Sequence, residues 1–135
     1  MSAKRELVTY KGRSIGILVF TLAQLLIGAI HIFVGLLLLA SDISFFYASI
    51  IYDIYTVIFG LLTLVFAVFI WRGKKVGWTG SITVSIFVIV ADMLTVLNLP
   101  SIQGIPMFAP PVEIPYSLFI ILFLSQRSVR RKYLG

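Results

Sequence analysis

The chain has no cysteine, and this excludes disulfides, thiolate metal sites, iron–sulfur clusters and cysteine nucleophiles. His31 is its only histidine, so the commonest metal ligand is nearly missing as well. The motifs of phosphate-binding loops, zinc proteases and serine hydrolases are not present either. We therefore expect no catalytic residues, no metal site and no cofactor, and a non-enzymatic role is favoured.

Charged side chains are scarce: they make up 12% of the 135 residues, whereas a soluble domain carries about 25%. Apolar residues make up 60% of the chain, and its mean hydropathy is +1.09. This composition argues against a soluble enzyme and, despite a net charge of +6, against a nucleic-acid-binding protein. At roughly 20 residues per membrane crossing, the chain has room for four or five spans and no separate soluble domain.

Four apolar segments are separated by polar or helix-breaking residues. The spans are predicted at about residues 14–40, 52–71, 76–99 and 111–128. Ser41 and Asp42 are expected to end the first span, and Asn98 and Pro100 the third.

All five prolines lie between residues 100 and 115, so this region cannot be one continuous helix. Residues 100–111 are predicted to form an external loop. The fourth apolar segment is short, and it crosses the membrane only if its helix starts near Pro110 and continues past Gln126.

Positive charge is confined to three segments. All 11 basic residues lie before the first span, between the second and third, or after the fourth. Because Lys and Arg are retained in the cytoplasm during insertion, we predict an even number of spans with both termini cytoplasmic. The predicted fold is all-α: a single domain, residues 1–135, forming a four-helix bundle in the cell membrane. The basic tail is expected to contact anionic lipid headgroups.

The turn between the second and third spans reads Trp71-Arg72-Gly73-Lys74-Lys75-Val76-Gly77-Trp78, and the chain ends in Val129-Arg130-Arg131-Lys132-Tyr133-Leu134-Gly135. These segments resemble a group of small prokaryotic four-span membrane proteins. Members of that group share a W-x-G-K-x-x-[GA]-W inner turn and a terminal V-R-x-[YF]-[LF]-G. The resemblance covers roughly residues 50–135 and implies the topology alone.

Each of the first three spans carries one face of small and polar residues, the kind of face that brings helices together in lipid. The three faces consist of Gln24, Gly28, His31 and Gly35; of Asp53, Thr56, Gly60, Thr63 and Ala67; and of Gly73, Gly77, Ser81 and Ser85. Asp92 lies within ~20° of the third face at 100° per residue. We expect the Gly and Ser residues of these faces to pack helix against helix.

His31, Asp53 and Asp92 are the ionisable members of these faces. Counted from the helix ends, all three could lie in one layer in the outer half of the membrane. An ionised group in hydrocarbon costs about 2.5–3.5 kcal/mol, so such residues are functional candidates by default. Gln24 and Glu113 complete the set of intramembrane polar candidates.

Each candidate also has a structural interpretation. Asp53 could cap a helix that begins at Ile54, and His31 could be a neutral imidazole bonded to a neighbouring hydroxyl or carbonyl. Asp92 could be a protonated or hydrogen-bonded structural carboxyl. Glu113, in the first turn of the fourth span, is well placed to interact with the helix dipole.

We expect a small integral membrane protein that acts by association, as a homo-oligomer or as an accessory subunit of a larger membrane complex. Its partners would be the bilayer and either itself or other membrane subunits. The alternative is a cation- or proton-coupled carrier or channel that uses His31, Asp53 and Asp92 as a relay. A third interpretation is an intramembrane enzyme acting on lipid or quinone, with the proline-rich loop as a lid.

Overall fold

The computed structural model describes residues 9–10, 13–45 and 50–134. Its five helices are α1 (Ile15–Phe45), α2 (Ile50–Trp71), α3 (Lys75–Val96), α4 (Ala109–Ser125) and α5 (Arg127–Leu134). A small antiparallel pair, β1 (Thr9–Tyr10) and β2 (Arg13–Ser14), precedes α1. Apart from that pair, the described regular structure is helical, which confirms the all-α class.

Three of these helices are long and apolar enough to cross a membrane, over Ile15–Ser41, Ile50–Trp71 and Lys75–Val96. α4 and α5 pass the same test only as a pair, and they meet at a bend of 69°. The fold is that of a multi-pass membrane protein, with three crossing helices, or four if the bent pair forms one span.

Consecutive helices pack side by side: α1 on α2, α2 on α3, and α3 on α4. Within the described residues, no α-carbon of α1 lies within 8 Å of one in α4. Only side chains join these two helices: the rings of Phe20 and Phe123 stack at a centroid distance of 4.7 Å, and the Tyr116 hydroxyl donates to Gln24 Oε1 at 2.9 Å. The backbones of α1 and α4 therefore stay apart, and side chains bridge the gap between them.

The small and polar faces lie inside the bundle. The buried residues of α2 are Asp53, Thr56, Gly60, Thr63, Ala67 and Ile70, and those of α3 are Gly77, Ser81, Ser85, Val88, Ala91 and Asp92. Large aliphatic residues such as Leu26, Ile58 and Ile86 are exposed. The interior is therefore more polar than the surface that faces lipid, the arrangement expected of helices that associate inside a membrane.

Two helices end in the same left-handed cap. Gly73 has φ 72° and Asn98 has φ 54°, and the next amide in each case donates five residues back: Lys74 to Phe69 at 2.8 Å and Leu99 to Leu94 at 2.9 Å. Gly73 thus caps α2, which corrects its assignment to the small-residue face of the third span. The cap at Asn98 ends α3 at Val96, three residues before the predicted end of the span.

The first two helices also differ from prediction at their outer ends. α1 continues through Ser41 and Asp42 to Phe45, because Ser41 Oγ donates to the Leu37 carbonyl at 3.0 Å and the hydroxyl is satisfied within the helix. α2 begins at Ile50, so Asp53 lies inside its first turn and is not the cap of a helix that begins at Ile54.

The fourth helix begins at Ala109 with prolines in its first turn, as predicted, but it ends at Ser125. The predicted continuation as one helix past Gln126 is wrong, since that residue has an extended backbone (ψ 136°) and the chain turns into α5. The physical reason is the amphipathic sequence of α5. Val129 and Tyr133 are buried, whereas its basic residues are exposed: Arg127, Arg130, Arg131 and Lys132.

The bundle is closed at the end that carries the basic turn and α5. A cluster of large apolar side chains fills it: Ile17, Phe20, Ile70, Ile120, Leu124, Val129 and Tyr133. Two side chains there donate hydrogen bonds to carbonyls at helix ends. Trp78 Nε1 donates to the Leu124 carbonyl at 2.8 Å, and the Tyr133 hydroxyl donates to the Ile70 carbonyl at 2.9 Å. Of the N-terminal basic residues, Lys4, Arg5 and Lys11 lie outside the described residues.

The loop of residues 97–108 folds back over the opposite end. Ser101 donates to the Ala91 carbonyl at 2.7 Å, and Ile105 is buried against Ala91 and Ala109. This loop forms a smaller apolar cluster than the one at the basic end, and it leaves an opening beside α1.

Candidate functional site: an intramembrane cavity

A cavity of about 580 Å³ lies between α1, α2 and α4, at the end away from the basic residues. Its outer wall is apolar and includes Ile30 and Val34 of α1 and Phe108 and Val112 on the α4 side. Val34 is 40% exposed and Val112 is 66% exposed. The cavity therefore opens sideways between α1 and α4, through a surface that is itself apolar.

Polar side chains form the inner wall of this cavity. They come from three different helices: His31, Tyr52, Asp53, Thr56, Glu113, Tyr116 and Ser117. Thr56 donates to the Tyr52 carbonyl at 2.9 Å, and Tyr116 donates to Gln24 at 2.9 Å. The site thus combines an apolar entrance with a few convergent polar groups, the usual anatomy of a small-molecule site.

His31 is half-buried, and its Nδ1 lies 2.7 Å from the Ile27 carbonyl. Because a carbonyl only accepts, Nδ1 carries the hydrogen in this bond. The imidazole also lies against the Phe59 ring, at a centroid distance of 4.8 Å. This is the carbonyl-bonded arrangement that the sequence left open as the structural interpretation, here within the wall of a cavity.

Asp92 is fully buried on α3, with an exposed fraction of 0%. Among the described residues, no N–H or O–H group donates to either of its carboxyl oxygens. The carboxyl of Glu113, on α4, lies within interaction reach of the Asp92 carboxyl.

The structure places the five predicted candidates in two groups. His31 and Asp53 line the cavity together, with Glu113 on the other wall. Asp92 does not line the main cavity, and neither does Gln24, which lines a separate small void and accepts a hydrogen bond from Tyr116. No group of three or more His, Asp or Glu side chains in the described part of the chain could hold a metal ion.

Glu113 does not have the position that the sequence suggested. It is the fifth residue of α4, past the first turn, and its neighbour is the Asp92 carboxyl. The early start of α4, at Ala109, displaces it from the helix terminus. Its role is therefore in the interior of the bundle and not at the helix dipole.

Sequence reasoning missed the contribution of α4. Tyr116 and Ser117 of this helix line the cavity, and Ser117, Ile120 and Leu124 form its buried face. These three residues step by three and four, so helical periodicity could have identified the face. The high proline content of this region obscured the signal.

The predicted packing residues all lie at buried positions: Gly28, Gly35, Gly60, Gly77, Ser81 and Ser85. A Cβ added to Gly60 would lie 2.7 Å from the Gly28 carbonyl oxygen, and one added to Gly35 would lie 2.7 Å from Val57 Cγ2. α1 and α2 thus approach closely, and these residues pack the helices of one chain against each other.

Comparison with protein-family models, curated proteins and solved structures found no match to this chain. Fold and site together define a multi-pass helical membrane protein with a laterally open cavity of mixed polarity. We therefore infer its function from the cavity.

Proposed function

We propose that the protein binds a small amphiphilic molecule that enters the cavity from the bilayer. The single observation that carries this proposal is the cavity of about 580 Å³ that opens between α1 and α4. Its volume lies within the range of about 300–1,000 Å³ typical of small-molecule sites. The apolar part of the ligand would lie between the two helices, and its polar end would reach Asp53, Glu113 and Tyr116.

We further propose that the protein lies in the cell membrane, crosses it four times and has both termini in the cytoplasm. Arg72, Lys74 and Lys75 lie at the same end of the bundle as α5, which supports one cytoplasmic face. α4 has 17 residues, ~26 Å of helix, and α5 then lies along the headgroups with its basic side chains toward anionic lipid. This orientation places the cavity in the outer half of the membrane.

The structure gives less support to association, the function that the sequence favoured. The small-residue faces that motivated it are buried between the chain's own helices. A partner subunit could not use those faces without displacing α1, α2 or α3. Association with itself or with other membrane subunits would need another surface.

A path for ions through the bundle is also disfavoured by the packing. Below the cavity, around Gln24 and Thr63, the free volume is only about 10 Å³. The basic end beyond it is filled by the apolar cluster around Ile70 and Leu124. This arrangement supports a binding site with one opening more than a channel.

Photocrosslinking in proteoliposomes tests the proposed site. The probe is a neutral long-chain alcohol that carries a diazirine, and the crosslinked residues are identified by mass spectrometry. We expect crosslinks concentrated on cavity residues of α1 and α4. Val34→Trp, which fills the opening, should reduce them severalfold, because an indole is much larger than an isopropyl group.

Val19→Trp is the matched control. Val19 is on the same helix and is 60% exposed, but it does not line the cavity. This variant should keep the crosslinking pattern of the original chain. Crosslinks spread evenly over all lipid-facing residues, with no effect of Val34→Trp, would contradict the proposed function.

A further inference from the structure

We infer that the ligand of this cavity is a neutral lipophilic alcohol, whose hydroxyl group donates a hydrogen bond to Nε2 of His31. This inference rests on the proposed function and adds the chemical class of the ligand and the side chain that recognises its polar end.

Three polar side chains of the cavity wall already use their hydrogens within the protein: His31, Thr56 and Tyr116. His31 Nδ1 and the Thr56 hydroxyl each bond to the carbonyl oxygen four residues back, at 2.7 and 2.9 Å. The Tyr116 hydroxyl donates to Gln24 Oε1 at 2.9 Å. With a neutral imidazole, each of the three groups keeps a lone pair that can accept but has no hydrogen left for a ligand.

His31 offers the best-defined acceptor of the three. A neutral imidazole has one N–H, and the bond to the Ile27 carbonyl places this hydrogen on Nδ1. Nε2 then carries a lone pair, and within the described part of the chain no group donates to it. The bond to Ile27 and the contact with the Phe59 ring together fix the imidazole in the cavity wall. Nε2 is therefore available to a group of the ligand that donates.

The other polar groups of the wall fit an alcohol better than a carbonyl compound or an ether. The hydroxyls of Tyr52 and Ser117 can donate as well as accept, and a carboxyl oxygen of Glu113 accepts in either protonation state. Tyr55, whose hydroxyl has no acceptor among the described residues, lines a smaller void and not this cavity. An alcohol both donates and accepts, whereas a ketone or an ether only accepts. A ketone or an ether would leave Nε2 of His31 without a partner, which costs free energy in a buried site.

The apolar entrance favours a hydroxyl over an ionic head. A ligand that comes from the bilayer passes between Val34 and Val112 before it reaches His31. Removing an ionised group from water costs far more free energy than removing a hydroxyl. The smaller cost of the hydroxyl is offset by one hydrogen bond to Nε2, while the hydrocarbon of the ligand stays against the apolar outer wall.

Competitors that share one hydrocarbon chain and differ in the polar group test the inference: an alcohol, its methyl ether, the methyl ketone and the trimethylammonium compound. Each is titrated against the diazirine alcohol in proteoliposomes at pH 8, where histidine side chains are generally neutral. Loss of cavity crosslinks is the readout, and concentrations are compared as membrane-bound amounts so that differences in partition cancel. We expect the alcohol to displace the probe at an about fivefold lower concentration than the other three, the effect of roughly one net hydrogen bond.

Variants of His31 test the recognising group. His31→Leu removes the acceptor, so the alcohol and the ether should displace the probe at nearly equal concentrations. His31→Gln, whose side-chain oxygen can accept, should restore part of the preference for the alcohol. Thr83→Val is the control for the loss of a polar side chain within the membrane. Thr83 is exposed on α3, bonds to the Thr79 carbonyl at 2.8 Å and does not line the cavity, so this variant should keep the about fivefold preference.

A second diazirine probe, the methyl ether of the first, separates the failure of this inference from that of the proposed function. If both probes crosslink in the cavity but the alcohol displaces them no better than the ether, the ketone or the trimethylammonium compound, the inference is overturned and the binding function stands. If neither probe reaches the cavity, the proposed function fails. Cavity crosslinks of the ether probe in His31→Leu show that this variant is folded, and an unchanged preference for the alcohol there would overturn the role of His31. The competitor series needs only the original chain, so it decides the ligand class whether or not the variants fold.

Discussion

At the scale of single residues, two glycines decide how closely the first two helices approach. The α1 and α2 backbones meet where Gly28 faces Gly60, and each position has the carbonyl oxygen of the other within 2.9 Å of an added Cβ. In lipid, helix association depends on such close packing, because burial of apolar surface contributes little. The same approach positions His31 opposite Phe59 and so shapes the cavity wall.

Gly60→Ala should therefore destabilise the protein. The added methyl group would overlap the Gly28 backbone, and overpacking costs typically about 1–3 kcal/mol. The measurement is the unfolding free energy in a mixed-micelle denaturation with sodium dodecyl sulfate.

Gly16→Ala is the control, since its added Cβ would lie 3.7 Å from the Phe123 ring, an ordinary contact. It should be neutral or slightly stabilising, because Ala has the higher helix propensity. Equal unfolding free energies for Gly60→Ala and Gly16→Ala would contradict the packing explanation.

At the scale of elements, α5 is the part of the chain whose structure differs most from the simplest sequence prediction. Burying its basic residues in hydrocarbon would cost free energy. Its apolar residues Val129 and Tyr133 pack in the apolar cluster at the basic end of the bundle. The helix consequently turns by 69° from α4 and presents its charges outward.

Cysteine labelling tests this orientation. The chain has no cysteine, so each single-cysteine variant carries one thiol. In protein reconstituted in nanodiscs, Arg131→Cys should react rapidly with a water-soluble maleimide, because this position is exposed. Val129→Cys, at a position 6% exposed, should react at least about tenfold more slowly than Arg131→Cys, because the thiol becomes accessible only when the helix opens locally.

Equal reaction rates at positions 129 and 131 would show that α5 is not packed as described. Circular dichroism of both variants serves as the control for retained helix content.

The helix ends show why the element boundaries were only partly predictable. Asn98 and Gly73 are typical helix-ending residues, and both adopt the left-handed cap. Ser41 looked like a breaker, but its hydroxyl bonds to its own helix and α1 continues. Neither hydropathy nor helical spacing predicts that a polar side chain will form a hydrogen bond within its own helix.

At the scale of the whole molecule, the two ends of the bundle differ in character. One end carries the basic turn, α5 and a packed apolar cluster, and the other carries the cavity and the loop of residues 97–108. A ligand would therefore reach its site from one half of the bilayer only.

Accessibility in intact cells tests the proposed orientation. Gln103→Cys, in the loop beside the cavity, should be labelled from outside by an impermeant maleimide. Lys74→Cys, in the basic turn, should be labelled only after permeabilisation. Both positions are exposed, so the difference would report the side of the membrane and not burial. The reverse pattern would invert the topology and place the cavity in the inner half.

Composition and helical spacing were sufficient to predict an all-α membrane protein and the residues that share a face on each of the first three helices. Periodicity has this power because every residue of a helix has a known angular position. It does not specify how helices are rotated and shifted against one another. The tertiary structure alone decided that Asp92 meets Glu113, that Gln24 meets Tyr116, and that a cavity remains where the backbones of α1 and α4 stay apart. Those contacts depend on side-chain packing between segments far apart in the chain, and no single segment carries that information.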